Sequence, residues 1–316
     1  MKNLTSICFL LMLLFSISCE KPIEKEGYVN VEGGKIWYKI IGEGQGIPLL
    51  ILHGGPGARS CTMIPGFSHL GKDRPVIFYD QLGSGFSDSP TDTALWRMDR
   101  FIDEIDLLRD HLALDEVHLL GHSCGSTFTI EYLATRKPKG VRSVVFSSPL
   151  ISTSQWMADA EILVSQLPVH IKDSITKYEA LEDYKAPEYL AATDSFYARH
   201  LSRRAWPYLP NPTCDGAAEF NNQVYNHMWG PTEFKATGSL MDFDRTPFLK
   251  EITVPILFVT GEYDEARPET IYKFQEMSNN ASVEIIEGAA HMTMIDQPER
   301  VTEAIGNFLN KVENAE

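Results

Sequence analysis

Residues 117–126 read VHLLGHSCGS, and this stretch decides the fold. Residues 117–120 are mostly apolar and typical of a buried strand, whereas residues 126–136 carry apolar side chains at helical spacing. Between them lies the pattern G-x-S-x-G, centred on Ser123. A serine in this position occupies a tight, strained turn that exposes its hydroxyl above a sheet. The stretch therefore predicts a nucleophilic serine on a strand-to-helix turn.

Short strand-like segments on both sides of this turn extend the sheet. Residues 28–32 and 35–41 flank a glycine pair and predict a hairpin. Four further segments are mostly apolar, as is typical of parallel strands covered on both faces: 48–52, 75–79, 117–120 and 143–147. Helical patterns between them imply right-handed strand–helix–strand connections. These features predict an α/β fold.

The alternation of strands and helices stops between residues 151 and 247, where four aromatic-rich helical segments replace it. It resumes with strands at 255–260 and 282–287, followed by a last helix at 298–312. We therefore predict a mostly parallel, eight-stranded sheet that is interrupted after its sixth strand by a helical cap. The predicted core comprises residues 28–150 and 248–316, and the predicted cap comprises residues 151–247.

Composition and charge exclude some classes of function. The chain has 316 residues, 43% hydrophobic and 22% charged, which is ordinary for a globular protein. Its net charge of −15 argues against nucleic acid as a partner, because phosphate binding relies on dense Lys and Arg patches. The sequence holds no H-E-x-x-H pattern and no clustered Cys and His ligands, so we predict neither a metal nor another cofactor. It leaves the oligomeric state open.

Residues 1–18 have the features of an export signal. Lys2 precedes an apolar stretch at 7–17, which is too short to span a bilayer because a span needs roughly twenty residues. The following FSISC at 15–19 is similar to a bacterial lipobox, although Ser16 stands where Leu is usual. We expect an exported lipoprotein, anchored in the periplasm or at the cell surface only through lipid on Cys19. Residues 19–27 would form a tether, and a plain signal peptide is the alternative.

The remaining cysteines give no sign of covalent cross-linking. Beyond Cys8 and Cys19, the chain has Cys61, Cys124 and Cys214. An odd number without regular spacing or a C-x-x-C pair favours neither a disulfide framework nor a metal site. The sequence therefore predicts a core stabilised by packing alone.

Two late strands lead into residues that could activate the serine. A serine hydroxyl needs a base to accept its proton, and the base needs a third group to orient it. On a sheet of this kind the partners follow in the order serine, acid, histidine. Asp264 and His291 follow the last two strands in that order. We therefore predict Ser123 as nucleophile, His291 as general base and Asp264 as orienting acid.

The acid has competitors. Glu262 and Glu265 flank Asp264 in the same loop. Asp242 and Asp244 lie in the predicted cap and fit the chain order less well.

Two loops could donate hydrogen bonds to a developing oxyanion. Residues 53–57, HGGPG, directly follow a predicted strand, and glycines there let backbone N–H groups turn inward. Gly55 is the main candidate and Gly54 a second, although the same letters also describe a simple tight turn. Cys124 follows the serine and would supply its N–H. A catalytic role for the Cys124 thiol is disfavoured, because no basic partner is evident.

Four segments resemble the α/β-hydrolase-fold prolyl aminopeptidases, or proline iminopeptidases: LHGGPG at 52–57, YDQLGSGFS at 79–87, GHSCGS at 121–126 and GEYDEARP at 261–268. The cap segment NHMWGPTEF at 226–234 is similar to their tricorn-interacting relatives, and the resemblance spans nearly all of the chain from about Gly27. It implies a serine aminopeptidase that removes an N-terminal proline, or another apolar residue, from short peptides through an acyl-enzyme.

The resemblance also implies how the substrate is bound. Two glutamates of this family bind the free α-amino group, and the matching positions are Glu233 and Glu265. A desolvated ammonium needs opposing charge, and carboxylates one residue away from the serine would restrict cleavage to the first residue. Without the resemblance, Glu233 is better explained as a first-turn helix glutamate behind Thr232.

Departures from the family leave alternatives open. Cys124 and Ser126 stand where the family often has an aromatic residue and a glycine, so the pocket shape and a strict preference for proline are undetermined. An esterase or amidase could use the same triad with Glu233 and Glu265 as surface acids. A non-catalytic, membrane-tethered binding protein is the third reading, which an intact triad disfavours.

Overall fold

The computed structural model describes residues 25–204 and 211–315. The predicted signal, Cys19 and the first part of the tether therefore lie outside the described residues. The tether prediction was wrong at its end, because strand β1 (Lys25–Val31) already includes residues 25–27. Lys25 pairs with Ile40 and Gly27 with Tyr38, and an edge strand tolerates the exposed charges of this segment.

A single sheet of eight strands forms the centre of the described structure. The strands are β1 (Lys25–Val31), β2 (Gly34–Ile41), β3 (Leu49–Leu52), β4 (Val76–Tyr79), β5 (Val117–His122), β6 (Val141–Ser147), β7 (Ile256–Gly261) and β8 (Ala281–Ile286). Their order is β1-β2-β4-β3-β5-β6-β7-β8. Strand β2 pairs antiparallel with β1 and β4, and all other neighbours are parallel. The prediction of a mostly parallel, eight-stranded sheet is confirmed.

The inner strands are buried because helices cover both faces of the sheet. Every residue of β3, β4, β5 and β7 is buried, whereas the edge strand β8 has partly exposed positions along most of its length. The helices are α1 (Ile64–Phe67), α2 (Met98–His111), α3 (Cys124–Arg136), α4 (Thr153–Ser165), α5 (Val169–Ala180), α6 (Pro187–His200), α7 (Asn222–Met228), α8 (Pro268–Glu276), α9 (Thr293–Asp296) and α10 (Pro298–Glu313).

Two apolar clusters form the core of the sheet layers. Leu50 and Leu52 of β3 join one cluster, together with residues of α2 and α3. Leu49 and Ile51 of the same strand join the other, together with residues of α10. Because successive side chains of a strand point to opposite faces, the two clusters lie on opposite sides of the sheet. The loops that follow the carboxyl ends of the parallel strands share one edge of the sheet.

Helices α4 to α7 lie between β6 and β7 in the chain, where the cap was predicted. Several of their apolar residues form a cluster of their own, which includes Leu163, Tyr189 and Phe196. Arg245 Nη2 donates to Glu131 of α3 over 2.9 Å and ties the end of this region to the core. None of the helices described is long and apolar enough to cross a bilayer.

A disulfide joins Cys61 to Cys214, with 5.3 Å between their Cα atoms. The prediction of a core without cross-links was therefore wrong. The two cysteines are 153 positions apart, so no local spacing indicates the pair. The two segments are adjacent in the folded chain, where the Thr213 hydroxyl of the cap donates to the carbonyl oxygen of Cys61 over 2.8 Å. Cys124 remains a free, buried thiol.

Candidate active site

Ser123 occupies a strained turn between β5 and α3. Its φ of 54° and ψ of −125° are rare for a residue with a side chain. Its N–H donates to the carbonyl oxygen of Ser147 over 2.9 Å, which anchors the turn to the neighbouring strand. A Cβ on Gly121 would lie 2.6 Å from the carbonyl oxygen of Gly125, and a Cβ on Gly125 would lie 2.1 Å from that of Leu52. Glycine is therefore required on both sides of the serine.

His291 and Asp264 form a buried hydrogen-bonded pair. His291 Nδ1 lies 2.9 Å from Asp264 Oδ1, and because a carboxylate only accepts, the imidazole donates. The same oxygen accepts the N–H of Ala266 over 2.8 Å. The other oxygen accepts from Thr260 Oγ1 over 2.7 Å and from the N–H of Gly261 over 3.2 Å. Four donors thus hold the Asp264 carboxylate in place.

The surroundings of Asp264 favour its ionised form. Burial alone would raise the pKa of this carboxyl group. The charge and hydrogen bond of His291, with the hydroxyls of Ser148 and Thr260, outweigh burial and lower the pKa of Asp264 below its ordinary value. An ionised Asp264 fixes the imidazole with Nδ1 protonated, which leaves Nε2 to accept a proton.

Ser123 and His291 line the same cavity. No hydrogen bond joins the Ser123 hydroxyl to the imidazole among the described residues. Such bonds are often long in sites without substrate and tighten when substrate binds. The structure thus brings the three predicted residues to one edge of the sheet.

The competing acids lie elsewhere. Glu262 is exposed, and its carboxylate accepts the N–H of Gly288 over 3.0 Å. Asp244 accepts from the backbone and hydroxyl of Thr246 at the end of the cap, and Asp242 is exposed. Of the acids weighed from the sequence, Asp264 hydrogen bonds His291 and Glu265 lies close to it.

Two aromatic neighbours of His291 were not predicted. The ring of His122 lies 4.8 Å from the imidazole, and the indole of Trp156 meets it edge-on at 5.6 Å, measured between centroids. Burial, followed by the charge of His291, lowers the pKa of His122 well below its usual range. His122 therefore stays neutral beside the base. Its place directly before Ser123 was a usable signal, whereas Trp156 comes from the cap and carries none.

The loop after β3 brings backbone N–H groups next to the serine. A Cβ on Gly54 would lie 2.8 Å from Ser123 Cβ and 3.3 Å from its Oγ, so the backbone passes directly against the nucleophile. Gly55 has a φ of 108°, which strongly favours glycine. In the part of the chain that the structure describes, the N–H groups of Gly55 and Cys124 have no protein acceptor. Both are therefore available to an oxyanion.

Glu265 is a buried carboxyl group without a hydrogen bond. The residue is 1% exposed, and neither side-chain oxygen has a partner among the described residues. One oxygen lies 3.7 Å from His291 Nδ1. Burial, and then the charges of Glu233 and Asp264, raise the pKa of Glu265 well above its ordinary value. Glu265 therefore favours its protonated form until a cation approaches.

Glu233 lies on the cavity wall close to Glu265. Its backbone is held on both sides, because its N–H donates to the Tyr197 hydroxyl over 3.3 Å and its carbonyl accepts from Trp156 Nε1 over 2.9 Å. Burial raises the pKa of Glu233, and the charge of His291 and the nearby Tyr225 hydroxyl offset this only in part. Two carboxyl groups so close together cannot both ionise easily without a counter-charge.

The cavity that contains the serine has a volume of about 470 Å³. Core residues such as Gly54, Ser123 and His291 form its floor, and cap residues such as Tyr225 and Glu233 form its wall. This volume is within the range of small-molecule sites. Within residues 25–204 and 211–315, no group of three or more His, Cys, Asp or Glu side chains is arranged to hold a metal ion.

The class of the protein follows from the sheet and from the position of the serine. A family model described as alpha/beta hydrolase fold matches residues 47–298, which include every strand except the first two. The protein is an α/β hydrolase, as the sequence predicted.

Individual relatives narrow this class. The chain is 42% identical over 288 residues to a proline iminopeptidase of Heyndrickxia coagulans, covering 91% of this chain and 99% of the relative. It is 34% identical to one of Clostridium botulinum, covering 90% and 98%. The crystal structure of a Mycobacterium smegmatis proline iminopeptidase superposes with a TM-score of 0.82 at 29% identity, covering 92% and 99%. The chain therefore belongs to the proline iminopeptidase family, and the predicted resemblance is confirmed.

Proposed function

We propose that this enzyme is a serine aminopeptidase that removes an N-terminal proline, or another apolar residue, from short peptides with a free N-terminus. One observation carries the proposal beyond a general hydrolase. The carboxyl group of Glu233 lines the cavity of Ser123, and the buried carboxyl group of Glu265, whose pKa is raised by burial and by the charge of Glu233, lies 3.7 Å from His291 Nδ1. A buried polar group without hydrogen-bond partners destabilises the fold unless a ligand supplies those partners.

The triad supplies the acyl transfer chemistry. Ser123 Oγ attacks the carbonyl carbon of the first residue while His291 Nε2 takes its proton, and Asp264 stabilises the imidazolium. The N–H groups of Gly55 and Cys124 donate to the oxyanion, and that of Gly54 is a further candidate. His291 then protonates the departing amine. Water, activated by the same imidazole, hydrolyses the acyl-enzyme and releases the free amino acid.

The glutamate pair selects the substrate end. The ammonium of an incoming peptide would lie between Glu233 and Glu265, which would then ionise. A desolvated cation gains most from two such partners, whereas a blocked amine gains nothing and leaves both groups unpaired. Because the pair lies close to His291, cleavage is confined to the first peptide bond.

The preference for the first residue is set by the cap side of the cavity. Tyr197, Tyr225 and Pro231 line this wall and favour a compact apolar side chain. Cys124, where the family often has an aromatic residue, is fully buried in the cluster that contains Trp156 and Trp229. Because the cap side of the cavity is lined by aromatic and apolar residues, we propose that the site accepts apolar residues besides proline.

The test is a panel of Xaa-arylamides with free and N-acetylated amines, together with simple esters. Glu233→Gln and Glu265→Gln should lower kcat/KM for free amines about 100-fold and leave ester hydrolysis much less changed. Glu262→Gln is the matched control, because Glu262 lies in the same loop but is exposed. Equal turnover of free and blocked amides by the unaltered enzyme would instead identify an esterase or amidase.

We also propose that the enzyme is exported and anchored through lipid on Cys19, in the periplasm or at the cell surface. The apolar segment at 7–17 and the lipobox-like residues before Cys19 support this. The disulfide between Cys61 and Cys214 supports it independently, because disulfides persist in oxidising compartments. Metabolic labelling with a palmitate analogue should mark the protein but not its Cys19→Ala variant. Unlabelled protein in a soluble fraction would contradict the proposal.

A further inference from the structure

We propose that Asp296 is a positioning residue that fastens the loop of His291 to the end of cap helix α6. This inference rests on the proposed role of His291 as the base. Asp296 lies at the end of α9, five positions after His291, and is 6% exposed. It does not line the cavity, and among the described residues its side chain hydrogen bonds none that is assigned to the chemistry above, so its effect must be indirect.

The Asp296 carboxylate connects two segments that are distant in sequence. On the core side, Oδ2 accepts the N–H of Ala290, the residue before the base, over 2.8 Å. On the cap side, Oδ1 accepts from Ser202 Oγ over 2.8 Å and from the N–H of Arg204 over 3.0 Å. The N–H of Arg203 lies 3.0 Å and 3.1 Å from the two oxygens. One side chain thus satisfies four donors.

Main-chain bonds continue this connection directly at the base. The N–H of His291 donates to the carbonyl oxygen of His200 over 3.0 Å, and that of Met292 donates to Leu201 over 2.8 Å. From the core, Ser148 Oγ donates to the carbonyl oxygen of His291 over 2.9 Å. The backbone of the base is therefore held by the cap as well as by the sheet.

Helix α6 also shapes the substrate site. Tyr197 and Leu201, at its end, line the cavity. The Tyr197 hydroxyl accepts the N–H of Glu233. The end of α6 therefore hydrogen bonds both the base and an amine-binding glutamate. Asp296 connects this end of the helix to the catalytic loop.

A carboxylate is needed at this junction because it is surrounded by donors. An amide of the same shape presents an NH₂ group on one side, which would face a donor instead of an acceptor. Asp296→Asn must therefore lose either the Ala290 contact or part of the cap contacts. A shift of about 1 Å in a catalytic group can lower a rate by about 100-fold.

The experiment compares three variants of the full-length enzyme. Asp296→Asn breaks the junction. Ser202→Ala removes one cap-side donor and leaves the Ala290 contact. Glu131→Gln is the control for a buried carboxylate that ties core to cap, through Arg245, without a hydrogen bond to the loop of His291 among the described residues. Each is assayed for kcat and KM on a prolyl-arylamide, for the inactivation rate with a fluorophosphonate, and for Tm.

Asp296→Asn should lower kcat and the fluorophosphonate rate about 10- to 100-fold, with a smaller change in KM. Ser202→Ala and Glu131→Gln should stay within about threefold, even where Tm falls. A fluorophosphonate rate for Asp296→Asn equal to that of the unaltered enzyme would overturn the inference, as would an equal loss in Glu131→Gln. If the unaltered enzyme were not labelled at Ser123, as judged against Ser123→Ala, the proposed function itself would fail.

Discussion

Asp264 and Glu265 are adjacent in the chain and equally buried, yet their surroundings are opposite. Four donors surround the Asp264 carboxylate, and its pKa is lowered. The Glu265 carboxyl has no hydrogen bond among the described residues, and its pKa is raised. The described residues supply the Asp264 carboxylate with hydrogen-bond donors, whereas they supply none for the Glu265 carboxyl group.

The difference separates two tasks that carboxyl groups perform in one site. A fully bonded carboxylate keeps its position and its charge, which suits the orientation of a base. A carboxyl group without hydrogen bonds, next to a second carboxyl group, is unfavourable to ionise, and a bound cation offsets this free-energy cost. The contrast therefore distinguishes the catalytic machinery from substrate recognition.

The largest effect is expected from Asp264→Asn. An amide in this position favours the wrong imidazole tautomer, so kcat should fall by about 10⁴-fold while KM changes little. Steady-state kinetics on a prolyl-arylamide measure this. A loss expressed mainly in KM would mean that Asp264 belongs with Glu265 to substrate binding, and the contrast would break down.

A smaller effect is expected from combining Glu233→Gln with Glu265→Gln. Each single change should lower kcat/KM for free-amine substrates about 100-fold. The double variant should lose less than the product of the two, because the residues share one ammonium and repel each other in the empty site. A double-mutant cycle in kcat/KM measures the coupling. Full additivity would show that the two carboxyls do not act as a pair.

The two acids should also give stability opposite dependences on pH. Because the folded pKa of Glu265 is raised, its stabilising contribution is complete below about 4.5 and is lost as pH rises through the folded pKa. Asp264, with a lowered pKa, contributes above about 3.8 and loses this contribution as pH falls. Tm of Glu265→Gln should therefore rise relative to the unaltered enzyme with increasing pH, whereas the deficit of Asp264→Asn should shrink in acid. Parallel Tm curves would contradict both assignments.

The smallest effect is expected from Cys124→Ala. The buried thiol, whose pKa is raised by burial, takes no part in either task, and the oxyanion donor is a main-chain N–H. Turnover and fluorophosphonate labelling at Ser123 should stay within about threefold. Loss of labelling would show that the position after the serine does more than donate its N–H.

Much of this arrangement could be predicted because it depends on short segments. Apolar runs predict inner strands, and the order of Ser123, Asp264 and His291 follows from where those strands end. Glu233 required a family resemblance, because an isolated acid behind Thr232 is better explained as the start of a helix.

Other contacts depend on how the cap folds over the core, and no local pattern encodes them. Trp156 reaches His291 from α4, and Asp296 meets residues that lie more than ninety positions earlier in the chain. The pairing of Cys61 with Cys214 has the same origin, since the two lie 153 positions apart. Long-range packing of this kind determines the environment of the site, whereas the sequence pattern determines its chemistry.

On the proposed function, Glu265 and Glu233 share a proton until the ammonium of a substrate displaces it. Calorimetric titration of prolinamide into the Ser123→Ala enzyme, in buffers of different ionisation enthalpy at about pH 6, counts the protons released, since the amine is already charged there. We predict release approaching one proton per site, and much less for the Ser123→Ala, Glu265→Gln double variant. Binding without proton release, or release unchanged by the loss of Glu265, would contradict the account.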